Sequence, residues 1–269
     1  MKSKLLFSLW LGCVSLSQAA TVTYTWTNGA GNNVWSNSKN WDLNNTCFPQ
    51  GDTDIAIIGD NKGTINVENS KYFFRMNTLT IGSGSTVSIV GAGGPEGSGI
   101  EKSSILVDTI NLSGKLISTS AWHKGWDKDT VINYGSITGN NVIDLSASNG
   151  MWSNGKTLAL NGALTLASGS AMSYELFAYG TIRSNNADFV FNTTGISVDS
   201  LTKQGTKLTQ ATQGTTYDNL QEGQFSVIND NHHVKVIYKD FAGAAIPEPT
   251  TVTLSLLGLA TLMLRRRRD

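Results

Sequence analysis

Apolar and polar residues alternate with a period of two in many short segments of the chain. Leu79-Thr80-Ile81, Val87-Ser88-Ile89, Leu158-Ala159-Leu160, Leu164-Thr165-Leu166 and Phe189-Val190-Phe191 all follow this form. Such alternation predicts half-buried strands. Glycine or asparagine beside most of them, as at Gly82, Gly84, Gly114, Gly135, Asn161, Gly162 and Gly195, predicts tight turns. A second form recurs in Thr64-Ile65-Asn66-Val67, Thr109-Ile110-Asn111-Leu112 and Val131-Ile132-Asn133-Tyr134. Ile65 and Ile110 are 45 positions apart and Ile110 and Ile132 are 22 apart, close to multiples of one period. A repeat of that length fits solenoid coils, each burying its face on the next.

The pattern predicts an all-β body: a single-stranded right-handed parallel β-helix of some eight coils, roughly 40 Å long at the usual strand spacing. A β-sandwich or jelly roll, which also shows short alternating strands, is the alternative. Only Pro49 and Pro95 lie between residue 20 and Pro247, which suits internal strands that must donate their amides. Residues 171–179 read as a helix, 91–99 as a glycine-rich loop, 202–223 as a polar loop or loose coil, and 234–238 as the last strand.

The two ends differ from this body. Lys2 and Lys4 precede an apolar run over residues 5–16, and Ser17-Gln18-Ala19 offers the small residues that a signal peptidase reads. This predicts a leader over residues 1–19, cleaved after Ala19. A retained anchor and a lipoprotein at Cys13 are the other readings. At the far end, Pro247-Glu248-Pro249 is followed by an apolar run over 250–264, then Arg265, Arg266, Arg267, Arg268 and Asp269. As a helix that run reaches about 22 Å, short of the ~30 Å hydrocarbon core. Snorkelling arginine stems and local thinning absorb the difference. The arginines stay cytoplasmic and stop transfer, so the body lies outside the inner membrane.

The order of Pro-Glu-Pro, short apolar helix, arginine cluster and chain end resembles the PEP-CTERM sorting signal of Gram-negative bacteria. That resemblance implies recognition of Pro247, Glu248 and Pro249 by an exosortase, a membrane protease-transpeptidase, and delivery of the body to the cell surface or an extracellular polysaccharide matrix. The predicted organisation is a leader (1–19), a β-helical body (20–240), a linker carrying the Pro-Glu-Pro motif (241–249), a transmembrane helix (250–264) and an arginine-rich cytoplasmic tail (265–269).

Behind the leader, Trp26, Gly29, Gly31 and Trp35 lead to Asn40-Trp41-Asp42, and Pro49, Gly51, Asp52 and Asp54 introduce the apolar run 55–58. Over roughly residues 24–90 this resembles the start of autotransporter-like β-helical passenger proteins. An open solenoid end exposes a sheet edge and an apolar core, so the three tryptophans are expected to form a cap. A sugar-stacking platform is the other use of such rings.

Candidate chemistry is sparse. Cleavage after Ala19 removes Cys13 and leaves Cys47 as the single cysteine, so no intramolecular disulfide is expected in the exported chain. His232 and His233 are adjacent, which on a strand sends them to opposite faces, and His123 stands apart, so no metal site is predicted. Asp52, Asp54, Glu101, Asp127 and Asp129 are scattered carboxylates that could hold calcium, although an aspartate before a strand is more often a turn former. No nucleophile elbow, phosphate loop or dinucleotide fingerprint is present. Trp122 and Trp126 flank His123-Lys124-Gly125; a loop presenting both rings is the candidate glycan contact, and a loop folded onto the rod is the other reading.

Charge refines this picture. Lys+Arg is 20 and Asp+Glu is 20, a formal net charge of zero, which disfavours nucleic-acid binding. Much of the positive charge sits in the two terminal tags, so the body itself is mildly acidic. The reading is an exported structural or adhesive protein with no cofactor. Its partners are signal peptidase, an exosortase, the inner membrane and extracellular polysaccharide. A lyase or glycosidase built on the same rod is the rival, as is a passive glycan-binding module.

Overall fold

The computed structural model describes residues 20–43, 47–68, 74–90, 103–119, 124–137, 140–148, 150–166, 172–203 and 205–241. In chain order the strands are β1 (Thr23–Thr25), β2 (Ile55–Ile58), β3 (Gly63–Val67), β4 (Phe74–Ile81), β5 (Ser85–Ile89) and β6 (Ser103–Leu112). Then come β7 (Lys115–Ser118), β8 (Lys124–Trp126), β9 (Thr130–Ile137), β10 (Ile143–Leu145), β11 (Thr157–Leu166) and β12 (Met172–Tyr179). The last are β13 (Val190–Ser200), β14 (Thr206–Lys207), β15 (Thr209–Gln210), β16 (Gln224–Asp230) and β17 (His233–Lys239). The described helices are two short 3₁₀ turns, Ser38–Asn40 and Tyr217–Asn219.

The protein is all-β, built from two sheets. The first runs β1-β2-β4-β6-β9-β11-β13-β14, with β8 also on β6; the second runs β15-β16-β17-β12-β10-β7-β5-β3. From β2 to β13 the chain crosses between the sheets at almost every step. Every pair from β1 to β13 in the first sheet is parallel, as is every pair from β3 to β12 in the second.

Parallel in-register pairing places equivalent residues in columns. On the inner face of the first sheet Ala56, Leu79, Ile110, Ile132 and Leu160 follow one another, all with no exposed surface. On the facing sheet the column is Ile65, Val87, Leu116, Ile143 and Phe177, equally buried. Each such side chain contributes roughly 1.5–3 kcal/mol of burial. The period-two alternation of the sequence is the signature of these two walls.

The outer face of the first sheet carries a polar column. Asn111 Nδ2 lies 3.4 Å from Thr80 Oγ1, Asn133 Nδ2 donates to Asn111 Oδ1 at 3.0 Å, and Asn161 Nδ2 donates to Asn133 Oδ1 at 3.1 Å. The steps between these residues are 31, 22 and 28 positions, so the intervening segments vary in length while the column stays in register. Thr109-Ile110-Asn111-Leu112 and Val131-Ile132-Asn133-Tyr134 are therefore true neighbours. Thr64-Ile65-Asn66-Val67 is not: it forms β3 in the opposite sheet, where Ile65 pairs with Val87.

Two further expectations are corrected. Residues 172–179 form strand β12, not a helix, because β10 and β17 hydrogen-bond to its two edges and override the helix formers in Met172-Ser173-Tyr174-Glu175-Leu176. The stack is also not parallel throughout. β17 pairs antiparallel with both β12 and β16, and β14 pairs antiparallel with β13, so each sheet contains one reversed strand toward this end. The segment expected as a loop over 202–223 contains β14, β15 and the second 3₁₀ turn.

At the opposite end, Trp26, Trp35 and Trp41 are 1%, 3% and 0% exposed and fill the core opening. Their rings meet edge-on, with centroids 5.1 Å apart for Trp26–Trp41 and 4.8 Å for Trp35–Trp41. The backbone of Asn33 and Trp35 bonds to Asn66, covering the edge of β3. Asn40 is fully buried and secures the loop: its Nδ2 donates to Asn32 Oδ1 and Val34 O, and its Oδ1 accepts from the Ala30 amide. Asp42 Oδ1 accepts from the Thr25 amide. The rings are spent on core closure, so they offer no face to a sugar.

Asn133 both donates and accepts within the asparagine column. Asn133→Ala removes two hydrogen bonds and is expected to cost about 2 kcal/mol, at about 1 kcal/mol each, read as a lower urea midpoint with an unchanged slope.

Candidate functional site

Trp126 is not a surface ring. It has no exposed area, and Ile105↔Trp126 pairing of β6 with β8 turns its indole into the core. There it packs on Phe177 and Phe189, with centroids 5.8 and 6.0 Å away, and its Nε1 donates to Thr130 Oγ1 at 2.9 Å. The expected glycan contact at Trp126 is corrected accordingly. The loop that carries it folds onto the body as a short extra stack, continued by bridges Gly125↔Trp152 and Met151↔Ile182. Gly125 is required there: a Cβ would fall 1.9 Å from the Trp152 indole. Trp122, His123 and Glu101 lie outside the described residues, as do Ala19, Pro247, Glu248, Pro249, the apolar run 250–264 and Arg265, Arg266, Arg267 and Arg268. Among the described residues no helix is long and apolar enough to cross a membrane.

The carboxylates are engaged as structural acceptors. Asp127 accepts from Ser104 Oγ at 2.6 Å, Trp152 Nε1 at 3.2 Å and Asn154 Nδ2 at 3.3 Å. Asp129 Oδ1 accepts from the Thr157 amide. Asp54 Oδ2 accepts from the Gln50 and Gly51 amides, the turn-forming role that sequence reasoning favoured. Asp52 pairs with Arg75 at 3.0 Å on the surface. Among the described residues no three His, Cys, Asp or Glu side chains are grouped to hold a metal.

His232 occupies a left-handed position (φ 68°) beside Asn231 (φ 48°) in the β16–β17 turn, and its ring stacks on Tyr179 at 4.6 Å. His233 Nδ1 lies 2.6 Å from Glu175 Oε2 across the strand pair. Cys47 is disulfide-bonded, whereas the expectation of a single cysteine concerned the chain after cleavage behind Ala19, which lies outside the described residues.

The feature that sequence reasoning missed is a polar groove of about 590 Å³ at one corner of the stack. Successive crossings from the first sheet to the second form it: Asp60 between β2 and β3, Ser83 and Gly84 between β4 and β5, Ser113 and Gly114 between β6 and β7, and Ser136 and Asn141 around the β9–β10 crossing, with Thr86 and Lys115 at the strand starts. Backbone makes its floor. A Cβ on Gly114 would lie 2.2 Å from Ser85 O and 2.4 Å from Gly82 O, so only glycine lets the coils approach this closely. Ser85 Oγ is consumed in the wall, donating to Gly59 O and accepting from the Lys62 amide, and Asp60 Oδ1 accepts from the Ser83 amide. The side chains of Ser83, Thr86, Ser113, Lys115 and Ser136 make no hydrogen bond among the described residues. The signal in the sequence was the recurrence of Gly-Ser pairs after apolar strands, which was read only as turn chemistry.

No family model matches the chain, and neither a curated protein nor a solved structure shows significant similarity to it.

Two outcomes follow from burial. Trp126→Ala opens a core cavity and is expected to cost about 3–5 kcal/mol, measured by chemical denaturation; a surface ring would leave the midpoint where it is. The Tyr134, Tyr179 and Tyr238 hydroxyls are pushed up by burial, Tyr179 to about 12; its bond from Asn229 works against the rise and the Asp188 carboxylate adds to it. An unfolded tyrosine titrates near 10. The stability held in the protonated phenols is complete below pH ~10 and is lost as pH climbs toward the folded values. Phenolate absorbance should therefore rise together with loss of the folded circular dichroism signal; free ionisation of these rings in the folded state at pH ~10 would contradict the packing.

Proposed function

We propose that this is an exported structural or adhesive protein: a right-handed parallel β-helix with no enzymatic role, sorted through a PEP-CTERM signal to the cell surface or extracellular matrix and associated there with polysaccharide. The observation that carries the reading is the pair of facing parallel columns, Ala56 to Leu160 and Ile65 to Phe177, joined by a chain that crosses sheets once per half-coil. That connectivity is what a solenoid requires. Its ends are closed, by the tryptophan plug at one and by antiparallel strands at the other, which suits a rod that stands alone outside the cell.

The state of the carboxylates supports a scaffold. Asp54, Asp127 and Asp129 each hold neighbouring backbone or side chains in place. Export and sorting rest on the sequence signals: the leader cleaved at Ala19, Pro247-Glu248-Pro249, the apolar run 250–264 as a membrane-spanning helix, and the arginines after it. Signal peptidase and an exosortase are the processing partners, and the inner membrane holds the precursor with its body facing the periplasm.

Replacing Arg265, Arg266, Arg267 and Arg268 with neutral residues tests the sorting reading. The expected result is loss of membrane-retained precursor and altered surface delivery, followed by membrane fractionation and immunoblotting. A variant that fractionates like the parent would sink it.

A further inference from the structure

We infer that the corner groove is the site at which the body holds an extended, uncharged polysaccharide, an assignment that rests on the matrix-associated reading above and gives it a location. The groove crosses successive coils, so hydroxyl-bearing side chains recur along it at the strand spacing of about 4.8 Å. That step is comparable to one sugar ring of an extended glycan, so a chain laid along the corner meets a fresh polar side chain at each residue.

The chemistry of the lining fits a hydroxyl-rich ligand. Ser83, Thr86, Ser113, Lys115 and Ser136 carry donors that no described residue satisfies, while Asn141 is anchored by donating to Ser136 O at 3.0 Å. Hydroxyls both donate and accept, which is what sugar hydroxyls demand. Asp60 and Lys115 are the charged residues of the lining, one of each sign, so the groove has no net charge to recruit a polyanion. Fixed coils also present these groups without a loop to order, which lowers the entropic cost of binding.

The test is affinity electrophoresis of the full chain in mild detergent, through gels containing hydroxyethyl cellulose, dextran or polygalacturonate. The parent is expected to be retarded by a neutral polymer. The Thr86→Ala, Lys115→Ala, Ser136→Ala triple variant should bind that polymer at least tenfold more weakly, with an unchanged circular dichroism spectrum and melting temperature. Lys115→Ala alone, at an exposed position, serves as a second variant and should weaken binding by a smaller factor. If the folded triple variant is retarded like the parent, the groove assignment is overturned while polysaccharide association stands. If the parent is retarded by none of the three polymers, the association itself fails. Stronger retardation by polygalacturonate than by either neutral polymer would overturn the assignment of an uncharged ligand.

Discussion

Everything in this structure depends on parallel strands stacking in register. A parallel pair fixes which residue of one coil lies over which residue of the next, and a slip of one position would turn each core side chain outward. The chain meets that constraint with identical or similar residues in columns: aliphatic inside, asparagine outside at Asn111, Asn133 and Asn161. The asparagine column does more than fill space. Asn133 donates to Asn111 and accepts from Asn161, so a shifted register would leave half-buried amides without partners. Tyr134 adds a cross-tie between the sheets, its hydroxyl donating to Leu176 O at 2.7 Å through the core.

The same constraint explains what could be read from the residues alone. The inner walls were legible because alternation is local: Leu79-Thr80-Ile81, Val87-Ser88-Ile89 and Leu158-Ala159-Leu160 each lie in a strand as expected. The true neighbours Ile110 and Ile132 were legible because they pair directly on adjacent strands one period apart. Ile65 was misplaced because similar tetrapeptides arise in both sheets, and spacing cannot say which wall a strand joins. β12 was misread because its composition favours a helix locally, while its hydrogen bonds come from strands distant in sequence. Trp126 was misread for a related reason. Its loop contains glycine and charged residues, and only pairing with β6 shows that the indole turns inward. The groove was invisible because it belongs to no single segment; it exists only where several crossings lie side by side.

The ends of the stack require different chemistry from its middle, and the sequence changes character at both. At the start, a loop rich in tryptophan and asparagine covers the opening and pairs with the free edge of β3. The buried Asn40 acts there as an internal cap for backbone groups that no coil above can satisfy. At the finish, β17 runs antiparallel beside β12 and β16 then pairs antiparallel with β17, occupying the position where another parallel strand would otherwise add. Ser200 and Thr202 donate to the Asp240 carboxylate, fastening the end of β13 to the segment that leaves β17. These closures keep the exposed sheet edges short, which opposes edge-to-edge association.

Variation in coil length is then the means by which a rigid stack acquires surface features. Asn111 and Asn133 bracket β8 with Gly125, Asn133 and Asn161 bracket Trp152, and the two segments meet in the Gly125–Trp152 shelf. Insertions on that side are absorbed by extra pairing and by acceptors such as Asp127. On the opposite corner the crossings stay short and glycine-bearing, since Gly114 sits almost against the backbone of the coil before it. Pairing of the parallel strands keeps the side chains of this corner at the strand spacing. Regular spacing of polar groups at this corner is thus a direct result of the pairing that holds the parallel strands together.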